Sequence, residues 1–271
     1  MSSIKSGRKS TRSVFTDIAT FLLVVAALIW AIKTGTAILE YHWQWYRVPQ
    51  YLLSHVNGKW LAGPLIDGLL VTLEITGISF VLAFSFGFIS ALGRLSDSYV
   101  ARMMARVYLE LIRNTPLLVQ LFFIYFVIAP ILDLSRFTSA VLALSLFEGA
   151  YASEVFRAGI VSIHKGQWEA AHSLGLSTFD TYRRIILPQA VRRILPPLTG
   201  QAVSLVKDSA LVSTIAVYDL TMRGREIISE TFLAFEIWFT IAAIYLVLTV
   251  SLSIAVGIVG RQFREKRYQV E

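Results

Sequence analysis

Six stretches of the sequence are apolar over about 20 residues each, and this feature constrains the fold more than any other. A bilayer core about 30 Å thick needs roughly 20 mostly apolar residues per helix. The runs lack the ten-residue alternation of membrane β-strands. The sequence therefore predicts an all-α integral membrane protein with six transmembrane helices. The predicted spans are residues 15–33, 65–93, 108–130, 137–158, 194–218 and 237–260.

The composition of the 271 residues also favours lipid as the solvent, with 55% hydrophobic and 16% charged residues. An ordinary soluble domain has roughly 25% charged residues. The chain contains no cysteine, which excludes disulfides, cysteine-zinc sites and thiol nucleophiles. The spacing of the four histidines (His42, His55, His164 and His172) suits no metal, so we expect no metal or cofactor bound by this chain. The net charge of +7 lies in short runs between apolar stretches, which argues against nucleic-acid binding.

The first apolar segment has two interpretations. Lys5, Arg8 and Lys9 before the run 21–32 resemble the start of a secretory signal. The small residues at 35–37 form a poor cleavage site, however. The distribution of basic residues is also most regular if the segment is kept, so we interpret it as a retained membrane anchor.

Lysine and arginine predict the orientation, because short loops rich in them stay in the cytoplasm. Residues 1–14, 94–106, 157–193 and 261–267 together carry seventeen of them, and the alternate loops carry six. Both termini are therefore predicted to be cytoplasmic. The expected organisation is a basic tail (1–14), an extra helix with an outer aromatic segment (15–64), a main membrane domain (65–260) that includes the loop 161–193, and a second tail (261–271).

An aromatic cluster follows the first span, with the sequence YHWQWY at residues 41–46. Tryptophan and tyrosine are enriched at membrane interfaces, where their rings reach the headgroups. We interpret the cluster as an interfacial anchor, and a partner-binding face is the alternative.

The long loop between the fourth and fifth spans is predicted to be structured. Residues 167–174 are good helix formers, and Gly175 can end that helix in a left-handed conformation. Ser177 is a natural N-cap for a second short helix, which Pro188 should end at the preceding residue. Such a first helix would lie flat on the membrane and present a ridge to another protein through the face that carries Trp168, Ala171, His172 and Gly175. An amphipathic surface helix without a partner is the alternative.

Glu148 is a carboxylate in the middle of the fourth span, with Tyr151 one turn later on the same face. A lone charge at that depth faces a cavity, a partner helix or a proton. A cavity would let the carboxylate bind an ammonium group, and helix packing is the alternative.

The fifth span contains Lys207, Asp208 and Ser209 in a row, preceded by Gln201. Adjacent residues do not face one another on a helix. Either the helix is broken at this point and exposes backbone groups to a water-filled path, or the two charges contact different neighbours. Lys207 could bind a substrate carboxylate, and an interhelical salt bridge is the alternative for both charges.

In the third span, Glu110, Arg113 and Asn114 share one helical face, which predicts a Glu110–Arg113 ion pair or a direct transport role. Thr115 and Pro116 predict a kink beside a cavity.

The loop pattern E-A-A-x3-G-x9-I-x-L-P resembles the cytoplasmic signature of the permease subunits of binding-protein-dependent ABC importers. Its fixed residues here are Glu169, Ala170, Ala171, Gly175, Ile185, Leu187 and Pro188. The segments at 108–117, 151–160 and 207–211 are similar to the polar amino-acid branch of that family, the histidine, glutamine and glutamate type. The resemblance covers about residues 65–260, and the extra helix at 1–60 departs from it.

This resemblance implies a type I ABC importer transmembrane domain in a bacterial cytoplasmic (inner) membrane, whose coupling helix sits in a groove on a separate ATPase subunit. Glu169, Ala170, Ala171, Gly175, Leu187 and Pro188 would couple the two subunits. The implied partners are two ATPase copies that use ATP and Mg²⁺, a second permease as homodimer or heterodimer, and an extracytoplasmic amino-acid-binding protein. The chain has no G-x4-G-K-[ST] motif of its own, so it is not expected to be an enzyme.

Two other classes of function are open to such a chain. An ion-gradient-driven transporter could use Glu148 or Asp208 for protons, but it would usually show an internal repeat, and 65–158 does not resemble 194–260. A non-transporting membrane scaffold would explain the loop but leave Glu148 and Lys207 unused.

Overall fold

The computed structural model of the protein describes residues 11–38, 41–56 and 58–268, with side chains at 15–35, 41–54 and 58–258. The chain divides into two units, residues 1–44 and 45–271. The basic residues Lys5, Arg8 and Lys9 lie outside the described residues, and the side chains from 259 onward are not described either. The predicted cytoplasmic tails therefore stay predictions.

The first unit contains one long helix, α1 (Thr11–Ile38). Its segment Phe15–Gly35 is long and apolar enough to cross a membrane, in agreement with the span predicted at 15–33. The aromatic segment begins in this unit, where the rings of Tyr41 and Trp43 meet edge to face with centroids 5.3 Å apart.

The second unit begins with a short segment of turn, helix and hairpin that the sequence did not predict. It consists of a 3-10 turn (Trp45–Arg47), the short helix α2 (Pro49–Leu52), and an antiparallel hairpin of β1 (Leu53–Val56) and β2 (Lys59–Ala62).

The rest of the second unit is helical, and four of its helices are long. They are α3 (Pro64–Leu95), α7 (Arg136–Val161), α10 (Leu187–Asp208) and α12 (Ala234–Tyr268). The shorter helices are α4 (Tyr99–Arg113), α5 (Leu117–Phe123), α6 (Ala129–Leu132), α8 (Lys165–Ser173), α9 (Thr178–Thr181) and α11 (Leu220–Thr231). Two π-helical turns (Ile124–Ile128 and Tyr182–Ile186) and a 3-10 segment (Ser209–Ile215) continue α5, α9 and α10.

Helices α3 and α7 pack closely because small residues line their contact. A Cβ on Gly87 of α3 would lie 2.7 Å from the Cβ of Ala152 and 2.9 Å from the carbonyl oxygen of Gly149. Small residues let helix backbones approach one another, which is how helices associate in lipid, where apolar burial gives no driving force. The pair forms the centre of the unit, so α7 is buried along much of its length.

The third predicted span, 108–130, is wrong as a single straight helix. Helix α4 ends at Arg113 and the next helical segment, Leu117–Leu132, leaves it at 107°. The predicted kink at Thr115 and Pro116 is thus a full corner. Gln120 stabilises the corner by donating from Nε2 to the carbonyl oxygens of Ile112 (2.7 Å) and Thr115 (2.8 Å), which the turn leaves without helical partners.

In the part of the chain that the structure describes, three helices are long and apolar enough to cross a membrane by themselves, within Phe15–Gly35, Pro64–Leu95 and Ala234–Ile258. The bent pair at 99–132 is a fourth candidate if it is counted as one span. Helix α7 has 26 residues and α10 has 22, so both can reach across much of a bilayer, but they are less apolar. The count of six spans is consistent with this architecture and stays a prediction for this chain.

Candidate functional site

The loop after α7 forms a rigid helix with defined ends, as the sequence predicted. His164 caps the start of α8 through its Nδ1, which accepts a hydrogen bond from the backbone N–H of Gly166 at 3.1 Å. At the other end, Gly175 takes a φ of 71°, and Leu176 N–H donates to the carbonyl oxygen of Ala171 at 3.1 Å. This is a Schellman ending, for which glycine is the preferred residue.

Side-chain contacts hold α8 against the segment that follows it. Trp168 meets Tyr182 edge to face with ring centroids 5.1 Å apart, and Ala171 is fully buried. Gln189 Nε2 donates to Gln167 Oε1 at 3.1 Å. These contacts join α8 to the continuous helix that begins at Thr178.

The opposite face of α8 is free for a partner within the described part of the chain. Glu169 and Ala170 are exposed, and Leu174 is 78% exposed. Trp168 and Ala171 face the packed side, so the expected ridge is wrong for these two residues, while His172 and Gly175 are exposed. Burial gives Ala171 a packing role beneath the helix, while Glu169 and Ala170 lie where a partner could bind.

Pro188 does not end a helix at Leu187, which corrects the prediction. Helix α9, a π-helical turn at 182–186 and α10 run on without a break from Thr178 to Asp208. A proline within a helix lacks the N–H for the preceding turn and its ring crowds the carbonyl four residues back. The π-helical turn supplies a wider turn at this point, and Ser177 caps the start of the helix as predicted, accepting from Asp180 N–H at 3.1 Å. The helix that contains the fifth predicted span therefore starts well before residue 194, where that span was predicted to begin.

The structure brings together two of the predicted path residues, Glu148 and Asp208. Glu148 is 5% exposed on α7, and its carboxyl group lies within hydrogen-bonding distance of that of Asp208 at the end of α10. Two carboxylates this close repel each other unless they share a proton or a cation compensates them. Among the described residues neither Lys207 nor Asp208 forms an ion pair, so the interhelical salt bridge is wrong for both.

The remaining predicted path residues lie around this pair or at the corner. The α-helix changes to a 3-10 helix at Ser209, which is buried and donates to the carbonyl oxygen of Val206 at 2.7 Å. Lys207 is exposed, and Gln201 is partly exposed two turns before Asp208. Asn114 and Thr115 instead bond to α4, where Asn114 Nδ2 donates to Glu110 Oε2 at 2.8 Å and the Thr115 hydroxyl to the carbonyl oxygen of Leu111.

The sequence predicted an ion pair between Glu110 and Arg113, and this prediction is wrong. Arg113 pairs instead with Glu154 on α7. Its Nη1 lies 2.9 Å from Glu154 Oε1. Arg94 at the end of α3 contacts the same oxygen at 2.8 Å, and Arg157 Nε lies 3.3 Å from Oε2. One carboxylate thus joins three arginines from three helices, and two of them, Arg94 and Arg113, lie in the last turn of their helix, where cations are favoured. We call these four residues the Glu154 cluster.

Tyr151 lies between Glu148 and Glu154 along α7 and next to Arg113 of the Glu154 cluster. It follows Glu148 by one turn on α7 and is 37% exposed. The Arg113 guanidinium lies 5.7 Å from the centroid of its ring. Sequence reasoning missed Arg94 and Glu154, because their partners are distant along the chain and helical spacing could not reveal them.

The fold and these sites define a helical protein with helices long and apolar enough to cross a membrane and a helical loop after α7, and comparisons with known proteins agree with this class. Residues 83–265 match the family described as "Binding-protein-dependent transport system inner membrane component". The chain belongs to this family, whose members are the membrane subunits of ABC importers and not their ATPases.

Curated relatives include the glutamine transport system permease protein GlnP of Escherichia coli strain K12. It is 41% identical over 198 residues, which cover 72% of this chain and 90% of the relative. The L-cystine transport system permease protein TcyB of Bacillus subtilis strain 168 is 40% identical over 198 residues, covering 73% of this chain and 79% of TcyB.

Two solved structures have the same fold. The crystal structure of an amino acid ABC transporter with histidines matches with a TM-score of 0.69 and 38% identity, covering 73% of this chain and 94% of that chain. The inward facing MetNI methionine ABC transporter matches with a TM-score of 0.63 at 18% identity, covering 73% and 95%, and shows the fold alone.

Proposed function

We propose that this chain is the permease subunit of an ATP-driven importer of polar amino acids, coupled through α8 to a separate ATPase subunit. The observation that carries the proposal is the exposed face of α8, a helix whose Trp168 packs against Tyr182 in the π-helical turn that continues into α10. Relatives named as glutamine and cystine permeases support an amino-acid substrate. Transport proceeds by alternating access as the ATPase subunits close and reopen.

The assembly that we propose has two ATPase copies, which bind ATP and Mg²⁺, and a second permease subunit. One unit of this size has too few helices to enclose a solute path, and a twofold partner completes it. An extracytoplasmic binding protein delivers the amino acid. We further propose that both termini lie on the cytoplasmic side of a bacterial inner membrane, on the side where α8 meets the ATPase.

Charge reversal at the docking face tests the coupling. Glu169→Lys should reduce ATP-driven uptake in proteoliposomes to a few per cent, since a cation replaces the only acidic side chain of α8. Insertion and folding should be unaffected, because Glu169 is exposed. Asp97→Lys, at an exposed position between α3 and α4, is the matched control and should transport normally. Uptake at the wild-type rate by Glu169→Lys would overturn the docking proposal.

The acidic pair is the proposed site for the substrate ammonium group, with Tyr151, Gln201, Lys207 and Ser209 around it. An ammonium ion between Glu148 and Asp208 relieves their repulsion and forms charged hydrogen bonds. Glu148→Gln should raise the KM for uptake by about tenfold or more, because a hydrogen bond to a charged group contributes about 1.5–3 kcal/mol. Assembly with the ATPase should be unchanged. Glu110→Gln is the control, and equal KM values for the two variants would assign Glu148 to helix packing.

A further inference from the structure

We propose that α4 lies flat in the plane of the membrane, with an apolar side among the acyl chains and with Arg102 and Arg106 bound to the phosphate of an anionic phospholipid. Such binding does not depend on the transported substrate or on coupling to an ATPase. Two observations point to it, the position of α4 across the ends of α3 and α7 and the distribution of side chains around its axis.

Helix α4 crosses the ends of α3 and α7 and does not continue alongside them. Near its start, the carbonyl oxygen of Ala101 lies 3.4 Å from the place that a Cβ on Gly93 would take. At its end, Arg113 contacts the carboxylate of Glu154, which also binds Arg94. Ala101 and Arg113 are about 18 Å apart along the helix, yet both lie beside the last turn of α3. The angle of 107° to the next helical segment agrees with this crosswise direction.

The side chain of Tyr108 marks the side of α4 that faces the middle of the membrane. Its hydroxyl donates to the carbonyl oxygen of Leu146 at 2.6 Å. Leu146 precedes Glu154 by eight residues on α7, or about 12 Å, so Tyr108 points from the end of α7 back toward its middle. The middle of α7 packs against α3, which is a candidate membrane span, so this is the direction of the bilayer centre.

The charged residues of α4 lie on the opposite side of the helix. At about 100° per residue, Arg106 lies about 160° and Arg102 about 120° from Tyr108 around the axis. Arg106 is exposed and forms no ion pair within the described residues, while Arg102 uses Nη1 for a backbone carbonyl oxygen at 2.7 Å. Glu110 shares this side, and one of its carboxylate oxygens accepts from Asn114 at 2.8 Å. Two guanidinium groups one turn apart therefore point away from the bilayer centre with donors left for a ligand.

A third side of α4 is apolar and exposed. Met103, Val107 and Leu111 follow one another at intervals of four residues, and their exposed fractions are 47–65%. Val100 and Met104 widen this stripe toward the side of Tyr108. A helix with an exposed apolar stripe beside a basic one lies at the membrane interface, with the apolar residues at the acyl chains and the basic residues at the headgroups.

The phosphate of an anionic lipid suits Arg102 and Arg106 both in charge and in spacing. Residues four apart on a helix have Cβ atoms about 5–6 Å apart, and two like charges at this spacing repel each other. A phosphate between them removes that repulsion, and guanidinium groups bind its oxygens through paired hydrogen bonds. A zwitterionic lipid brings its own cation to the site, so a lipid with a net negative charge is favoured.

The depth of three side chains tests the flat orientation. Because the chain contains no cysteine, one thiol at a time can carry an NBD fluorophore in an importer whose other subunits are made cysteine-free. The variants are Met103→Cys, Val107→Cys and Leu111→Cys, in vesicles of phosphatidylcholine brominated either near the headgroup or near the chain end. A flat α4 should give the same ratio of the two quenching efficiencies at all three positions. If α4 instead crossed the bilayer, positions 103 and 111 would differ in depth by about 12 Å.

Helix α12 provides the matched control, because it contains a candidate membrane span. Leu246→Cys, Val250→Cys and Ile254→Cys have the same spacing and are also exposed, and their quenching ratio should change from one position to the next. A similar change along α4 would overturn the proposal. So would the absence of quenching at all three α4 positions, since another subunit would then cover the apolar stripe.

The preference for anionic lipid is measured with the fluorophore at Met103→Cys, by comparing quenching by brominated phosphatidylglycerol and brominated phosphatidylcholine. Phosphatidylglycerol should be preferred, and added salt should weaken the preference. Arg106→Gln should lower the preference by about fivefold, the usual effect of one arginine at an anionic surface, and Arg106→Lys should retain most of it.

Arg225→Gln is the control for the loss of one charge. Arg225 on α11 is exposed and forms no ion pair in the described part of the chain, so its replacement should leave the preference at position 103 unchanged. Equal effects of Arg106→Gln and Arg225→Gln, or equal quenching by the two lipids before either change, would overturn the proposed phosphate site. Both measurements detect lipid beside α4 and need no transport, so they can fail while the proposed import function holds.

Discussion

At the scale of single residues, Glu154 is the charge that the tertiary structure depends on most. Its carboxylate contacts Arg94, Arg113 and Arg157, so removing it leaves three cations close together without a counter-ion. The four side chains are between 25% and 43% exposed, so solvent screens part of the interaction. The cluster nevertheless joins α3, α4 and α7.

Glu154→Gln should destabilise the protein by about 1–2 kcal/mol, more than an exposed pair and less than a buried one. The melting temperature of the detergent-solubilised chain should fall by about 4 °C. Raising the salt concentration should reduce the difference from wild type, because it screens the repulsion between the arginines. Glu226→Gln removes one carboxylate from one arginine, Arg223, and should have a smaller effect. Equal melting temperatures for the two variants would show that the cluster contributes nothing beyond a single pair.

At the scale of elements, local signals in the sequence predicted α8 well and its continuation poorly. The capping residues Gly175 and Ser177 act through their own backbone, so spacing along the chain was enough to place the helix ends. The local sequence around Pro188 is compatible with two structures, the end of a helix or a π-helical turn before a longer helix. The long helix packs as one element, and the structure has the π-helical turn. The corner after α4 depends on Gln120, whose role is visible only once the chain has turned.

Gly175→Ala should weaken coupling without changing the packing of α8, because the new Cβ meets no atom within 4 Å. A φ of 71° costs a non-glycine residue about 1 kcal/mol, which shifts the equilibrium between the intact and the frayed helix end about fivefold toward the frayed form. ATP-driven uptake should fall by at most this factor, and limited proteolysis at 174–177 should become faster. Gly200→Ala is the control, as Gly200 is helical with open space around it. Equal uptake by both variants would mean that the end of α8 need not be rigid.

At the scale of the whole molecule, a single copy of the chain leaves the acidic side chain of Glu74 exposed on an apolar helix. Glu74 lies eleven residues into the apolar helix α3, where its side chain is exposed and has no ion partner among the described residues. A carboxylate facing lipid at that depth costs about 2.5–3.5 kcal/mol. The roles proposed for Glu148, Asp208 and α8 follow from a single copy of the chain. Glu74, in contrast, requires either water or the second permease beside it. A second subunit on this face of α3 is consistent with the twofold assembly proposed above.

Because the chain contains no cysteine, a single introduced thiol reports its surroundings without interference. In the assembled importer, Glu74→Cys should react with a water-soluble maleimide or form a crosslink to the second permease, since a thiolate forms only where water reaches. Leu73→Cys lies at the same depth on a neighbouring face, is 40% exposed in one chain, and should react at least about tenfold more slowly because it faces lipid. If both positions were inert and neither formed a crosslink, Glu74 would face lipid in the assembly, and the second permease would have to pack against another face of the bundle.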